Sequence, residues 1–119
     1  MKLSLEQIKF IKENEYVIFA TASKNGIPRA AIVIPSRVEE NRIIISNVQM
    51  EKSEQNIREN NNVFISSYKD DTQVKISGTC EYIDFGELFE EIKEFEKSND
   101  VDVKGIIVIN ISSVEQTEG

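Results

Sequence analysis

The residues best equipped for chemistry lie in one stretch, Ser46-Asn47-Val48-Gln49-Met50-Glu51-Lys52-Ser53. It leaves an apolar run, Arg42-Ile43-Ile44-Ile45, and enters a polar segment of helical character from roughly Lys52 to Asn60. A helix N-terminus presents unbonded backbone N–H groups and a partial positive charge, which together suit a phosphate. Lys52 can add a full charge, and the Ser53 hydroxyl a hydrogen bond. The same residues also admit a plain structural reading, with Ser53 as the helix N-cap and Lys52 as a solvated charge. Elsewhere the chemistry is thin. The chain has no His, which removes Ser-His-Asp triads, Cys-His pairs and His-held metals. Its single Cys, Cys80, excludes an internal disulfide and a Cys-cluster zinc site. Gly26, Gly78, Gly86 and Gly105 are too far apart for a P-loop or a dinucleotide fingerprint. No residue is singled out as a catalytic acid or base.

The elements that must position this stretch are constrained by composition. A chain of 119 residues allows one domain, residues 1–119. Eighteen Ile and ten Val stand against three Leu, and β-branched residues favour strands. The net charge of −7 argues against a nucleic-acid partner and against anionic membranes. No apolar run approaches the roughly 20 residues of a membrane span. Met1-Lys2-Leu3-Ser4 leads into a charged amphipathic segment rather than a signal peptide. One free Cys fits a reducing, cytoplasmic setting.

Along the chain, Ser4 and Gln7 form a capping box, with Leu3 and Ile8 as a hydrophobic staple. Leu5, Ile8 and Ile11 then share one face of the first helix. Tyr16–Ala22 reads as a strand, Asn25-Gly26 as a type I′ hairpin turn, and Pro28–Ile34 as the return strand, ended by Pro35. Arg42–Ser46 is apolar in succession, which implies burial on both faces. Val63–Tyr68 and Gln73–Ile83 form the next hairpin around Asp70-Asp71. In Gln73–Ile83, Val74, Ile76, Gly78, Cys80 and Tyr82 share a face. Asp84 and Glu87 read as a second cap and box, before an apolar face of Phe85, Leu88, Phe89, Ile92 and Phe95. Ile106–Ile111 is the last strand. The expected fold is therefore mainly β with flanking helices, a six-stranded antiparallel small barrel. Strands apolar on both faces need cover, from a helix or from a second subunit.

The order of these pieces resembles the FMN-binding split-barrel family, the pyridoxamine 5′-phosphate oxidase-like group, and within it the small FMN-binding proteins. Gly26-Ile27-Pro28 resembles its "DGxP" turn, and Arg42-Ile43-Ile44-Ile45 its strand before the flavin loop. Met50-Glu51-Lys52-Ser53 is similar to its phosphate element, and Asn56-Ile57-Arg58-Glu59-Asn60 to its "N(I/L)xxN" helix. Ser77-Gly78-Thr79-Cys80-Glu81 resembles its "GxAE" strand, and Ser113–Thr117 its tail.

The resemblance implies a split β-barrel homodimer with FMN at the subunit interface. It assigns the phosphate to Lys52 and Ser53, with Met50 in the same element. The backbone of Ile45, Ser46 and Asn47 would lie along the flavin, and Ile32 and Val33 of the second strand would flank it. The implied function is that of an oxidoreductase or electron carrier. Two alternatives stand beside it, a dimeric module without FMN and a relative holding a deazaflavin or haem. The family's namesake oxidase carries C-terminal Arg and His residues for its substrate. This chain has neither, so that activity is not expected. Arg29 is the one basic residue near the second strand, on a face the sequence leaves open. Gln116 and Thr117 would either cover the flavin from the partner or belong to a disordered tail.

Overall fold

A computed structural model describes residues 1–118. Three helices, α1 (Leu5–Asn14), α2 (Glu51–Glu59) and α3 (Glu87–Lys97), flank seven strands. The strands are β1 (Val17–Ala22), β2 (Pro28–Val33), β3 (Arg37–Val38), β4 (Arg42–Asn47), β5 (Asn62–Lys69), β6 (Thr72–Ile83) and β7 (Gly105–Glu118). They form one antiparallel sheet in the order β2-β1-β5-β6-β7-β4-β3, the curled sheet of a split barrel. The expected count of six strands is corrected to seven. Pro35 ends β2 as expected, but the chain pairs again at once, with Arg37 and Val38 opposite Ile44 and Ile43. The two edge strands are thus consecutive in the chain.

The barrel interior is built from the period-2 face of each strand. Val17 and Phe19 of β1, Ile43 and Ile45 of β4, Val63 and Ile65 of β5, Val74, Ile76 and Cys80 of β6, and Ile107 and Ile109 of β7 form one buried cluster. The doubly apolar strands behave as their pattern demands. On the other face of β4 and β7, Ile44, Ile106 and Val108 pack under Phe89 and Ile92 of α3. Their second face is therefore covered within the chain. What stays uncovered is the outer face of β1 and β2, where Ile18 and Ile32 stand opposite each other, 46% and 73% exposed.

Several local expectations change. The Ser4–Gln7 capping box is present in both directions, yet Leu5 is exposed and Ile11 carries the buried face. The turn at Asn25-Gly26 has only one left-handed residue, Gly26, at φ 82°. Gly26 N–H donates to the Ser23 carbonyl and Ser23 N–H to that of Ile27, a three-residue loop rather than a type I′ turn. The left-handed pair falls instead at Asp70 and Asp71, with φ of 50° and 68°. The cap of α3 is Gly86, not Asp84, and Phe85 and Phe95 are exposed while Phe89 and Ile92 are buried. The tail is ordered through residue 118 as the second half of β7, and Gln7 Nε2 donates to Gln116 Oε1.

Gly78 marks an irregularity in the β6–β7 ladder, where Ser77 pairs with Ser113 but Gly78 with Ile111. A Cβ at Gly78 would collide with the backbone carbonyl of Asn110. Overpacking of this kind costs about 1–3 kcal/mol. Gly78→Ala is therefore expected to lower the urea midpoint by that stability. An unchanged midpoint would show that the ladder yields freely.

Candidate functional site

The site grows from α2 and the β1–β2 hairpin. As a nine-residue helix with one apolar residue, α2 has little intrinsic reason to dock, and Ile57 is its only buried large side chain. Side-chain hydrogen bonds supply the rest. Asn56 Nδ2 donates to Thr21 Oγ1 at 3.1 Å, and Asn60 Nδ2 to the Ser23 carbonyl at 3.3 Å, pinning α2 to the hairpin. At the other end, Asn47 Oδ1 accepts the Met50 N–H at 2.9 Å. Asn47 Nδ2 donates to Glu54 Oε1 and to the Tyr82 hydroxyl at 2.9 and 2.8 Å. Arg58 pairs with Glu54 and stands 4.7 Å over the Tyr82 ring.

Helix α2 begins at Glu51, with Met50 in the cap position and no side-chain cap bond. Ser53 is therefore not the N-cap that its type implied. It sits in the first turn, 3% exposed, while Lys52 beside it points outward and is exposed.

Lys52 joins Ser23, Ile27, Pro28, Arg29 and Asn56 around a cleft of about 290 Å³ between α2 and the hairpin. Arg29 pairs in register with Thr21, so the clamp that docks α2 on Thr21 also brings Lys52 to Arg29. Of the four arginines, Arg37, Arg42 and Arg58 are ion-paired, whereas neither Arg29 nor Lys52 has an acidic partner among the described residues. Two free cations, an amide and a serine in one concave site form a donor set for an anion. An apolar trough of about 310 Å³ is lined by Ala20, Thr21, Ala22, Asn62, Val63, Phe64 and Ser77. Its Thr21 is hydrogen-bonded to Asn56 of the cleft, so the two concavities are neighbours. A larger cavity of about 360 Å³ lies by the C-terminus of α3, but its Lys93 and Lys97 are balanced by Asp100 and Asp102.

The other residues of the expected site are spread out. Met50 packs partly against the barrel core, and Ile45 is fully inside it. The Ser46 hydroxyl is hydrogen-bonded to that of Ser36, and the Asn47 side chain is committed to the α2 contacts above. Val33 packs against the core from the β2 edge, whereas Ile32 faces outward. Only Lys52 of the expected set lines the cleft, and Arg29, Asn56 and Ser23 join it. The signal for Arg29 lay in the hairpin loop length, which sets the phase of β2.

Titration marks no further centre. Burial, reinforced by Glu81, pushes the Cys80 thiol up to about 11, so it is inert rather than nucleophilic near neutrality. Burial also raises the Tyr82 phenol; the Asn47 hydrogen bond opposes this and Glu54 adds to it. Among the described residues no cluster of His, Cys, Asp or Glu could hold a metal. None of their helices is long and apolar enough to cross a membrane.

Comparison with known proteins agrees with this architecture. A family model described as pyridoxamine 5′-phosphate oxidase matches residues 5–118. An uncharacterized protein of Methanocaldococcus jannaschii is 34% identical over 120 residues, spanning 96% of this chain and 80% of its own length. Three solved structures share the fold at low identity. HupZ of Group A Streptococcus is 16% identical, with a TM-score of 0.89, over 98% of this chain and 96% of its own. An FMN-binding protein of Syntrophomonas wolfei is 16% identical, with a TM-score of 0.79, over 97% and 86%. HutZ, a haem storage protein of Vibrio cholerae, is 14% identical, with a TM-score of 0.71, over 99% and 95%.

Proposed function

This chain belongs to the pyridoxamine 5′-phosphate oxidase family, and from that premise we propose that it is an FMN-binding flavoprotein, an oxidoreductase or electron carrier, working as a cytoplasmic homodimer. The observation that carries the proposal is the cleft with two unpaired cations in a chain of net charge −7. In so acidic a molecule, Lys52 and Arg29 have many potential carboxylate partners, yet they converge on an open concavity. A phosphate monoester there takes both charges, with the Asn56 amide and the Ser23 hydroxyl within the same lining.

The donor set suits FMN, which needs an anion site beside an apolar wall. Lys52 and Arg29 hold its phosphate, with the first turn of α2 adding backbone N–H groups at Ser53. The trough between Ala20 and Phe64 supplies apolar surface next to that anchor. The backbone of Ile45, Ser46 and Asn47, with Met50, Ile32 and Val33, is assigned to the flanks of the ring on the strength of the family resemblance alone. When bound, FMN supplies electron or hydride transfer chemistry. The chain's own residues bind and orient it, and none is assigned a proton-transfer role.

The outer face of β1 and β2 supports the homodimer. Ile18, Ile32 and Ile34 are all about half exposed or more and lie on or beside one edge hairpin. An apolar row at a sheet edge favours association with a second copy.

Titration of apoprotein with FMN, followed by flavin fluorescence and by melting temperature, tests the proposal. The expected result is quenching that saturates with one FMN per chain and a melting temperature that rises with ligand. The absence of both responses would reject FMN. It would leave the second reading, a dimeric module without a cofactor, which the exposed apolar face of β1 and β2 favours by itself.

A further inference from the structure

Within the row of β4 residues that enter the barrel, Ile43 and Ile45 are followed by Asn47. Asn47 is 2% exposed, a primary amide where the pattern of the strand asks for another apolar side chain. Every hydrogen of that amide is used. One Nδ2 proton goes to Glu54 Oε1 and the other to the Tyr82 hydroxyl, while Oδ1 takes the Met50 N–H. Glu54 Oε2 in turn accepts from Arg58 Nε, and the Arg58 guanidinium rests on the Tyr82 ring. Asn47, Glu54, Arg58 and Tyr82 thus form a closed circuit that ties the end of β4 to α2 and to β6.

The circuit sits where α2 most needs it. The first-turn N–H groups of a helix have no partners of their own, and Met50 at the cap position offers no side-chain acceptor. Asn47 does not cap that turn; its Oδ1 accepts the N–H of Met50 itself, which fixes the cap residue where the helix starts and leaves the first-turn N–H groups free for a ligand. Met50 is two residues before Lys52, and Glu54 is two residues after it. Both sides of the lysine are therefore anchored to one buried amide. The circuit is buried at Asn47 and opens to solvent at Arg58, so the Asn47 bonds, shielded from water, do most to fix its geometry.

We propose that Asn47 is a positioning residue for the anion cleft: through the circuit with Glu54, Arg58 and Tyr82, it sets the phase of the first turn of α2 and so aims Lys52 at the ligand phosphate. This rests on the phosphate assignment above. Asn47 does not line the cleft that holds Lys52 and Arg29.

The test is the ratio of FMN affinity to riboflavin affinity, which isolates the phosphate, measured by flavin fluorescence titration alongside melting temperature. Asn47→Asp removes the amide donors and sets a second carboxylate against Glu54. Combining it with Glu54→Gln reverses donor and acceptor across the same contact and restores it. The ratio is expected to fall about tenfold in Asn47→Asp, the size of one charge-assisted bond lost, and to recover in the double variant. Tyr82→Phe, which removes one acceptor of the circuit, is expected to lower the ratio about threefold while the protein stays folded. If Asn47→Asp does not fold, the double variant and Tyr82→Phe decide by the same ratio. A native ratio intact in Asn47→Asp and Tyr82→Phe, whatever their melting temperatures, would overturn the positioning role alone. So would a ratio that stays low in the double variant. Native protein that binds riboflavin as tightly as FMN would overturn the phosphate assignment, and this inference with it.

Discussion

Replacing both Lys52 and Arg29 with alanine is expected to weaken FMN binding about a hundredfold, while riboflavin binds as it does to the native protein. Hydrogen bonds to charged groups contribute about 1.5–3 kcal/mol each, and every 1.4 kcal/mol is a factor of ten. Both side chains are exposed, so solvent screening places each at the lower end of that range. Two such losses still multiply to about two orders of magnitude. The riboflavin arm removes the effects of fold and of ring stacking, because that ligand lacks only the phosphate. Raising the salt concentration should weaken FMN more than riboflavin in the native protein and equally in the double variant. Equal loss of both ligands in the double variant would mean that the two cations support the fold rather than a phosphate. Arg29 and Lys52 lie on separate elements, brought together by the Asn56–Thr21 and Asn60–Ser23 bonds. The single substitutions therefore need not contribute equally.

The second large effect concerns assembly. Ile32→Asp is expected to convert a dimer to a monomer at micromolar concentration, seen as a halved mass by light scattering or sedimentation. Ile32 is 73% exposed and lies opposite Ile18 on the outer face of the edge hairpin. In a two-fold interface each substitution counts twice. Fully burying an Ile contributes about 1.5–3 kcal/mol, so losing two weakens association by at least about a hundredfold. Burying two aspartates without partners adds a desolvation cost to that. Phe85→Asp is the control, since Phe85 is as exposed but lies beside α3, away from this face. A mass unchanged by Ile32→Asp, or halved equally by Phe85→Asp, would count against the β1–β2 face as the interface.

These two experiments separate what one family resemblance joins. The affinity ratio reads the phosphate site, and the mass reads the subunit contact. If monomeric Ile32→Asp retains FMN, the flavin site is complete within one chain. If it loses FMN while Lys52 and Arg29 are intact, the site needs the β1–β2 face, through the partner or through Ile32 itself.

Much of the fold was legible residue by residue. The alternation in β6 predicted its buried face correctly because a half-buried strand has period 2, and every second residue from Val74 to Cys80 is inside. The succession Ile43-Ile44-Ile45 predicted burial on both faces, which the barrel core and α3 now provide. The Ser4–Gln7 box was readable because a capping box is entirely local. What was misread shares a different physics. The type I′ expectation at Asn25-Gly26 failed because Ser23 Oγ accepts the N–H groups of Asn25 and Ile27, an alternative that the dipeptide alone does not reveal. Phe85 and Phe95 were assigned to the packed face of α3, but only the sheet beneath decides how wide a stripe it can cover. The two-residue strand β3 has no pattern of its own and exists because β4 offers it a ladder.

By itself, the sequence determined the barrel's inner face, the order of its principal elements and the family, and it singled out Lys52, which lines the cleft. Each of these is written in local periodicity or in a short run of residues. The tertiary structure decided the rest. It brought Arg29 and Lys52 to one cleft, buried Ser53, and gave α3 the face that a partner would otherwise have covered. It also left the β1–β2 hairpin as the one apolar sheet face without cover among the described residues. Such outcomes depend on register and docking between segments distant in sequence. Their energies come from pairs such as Asn56 with Thr21 and Asn47 with Tyr82, 35 residues apart in each case, which no local pattern encodes.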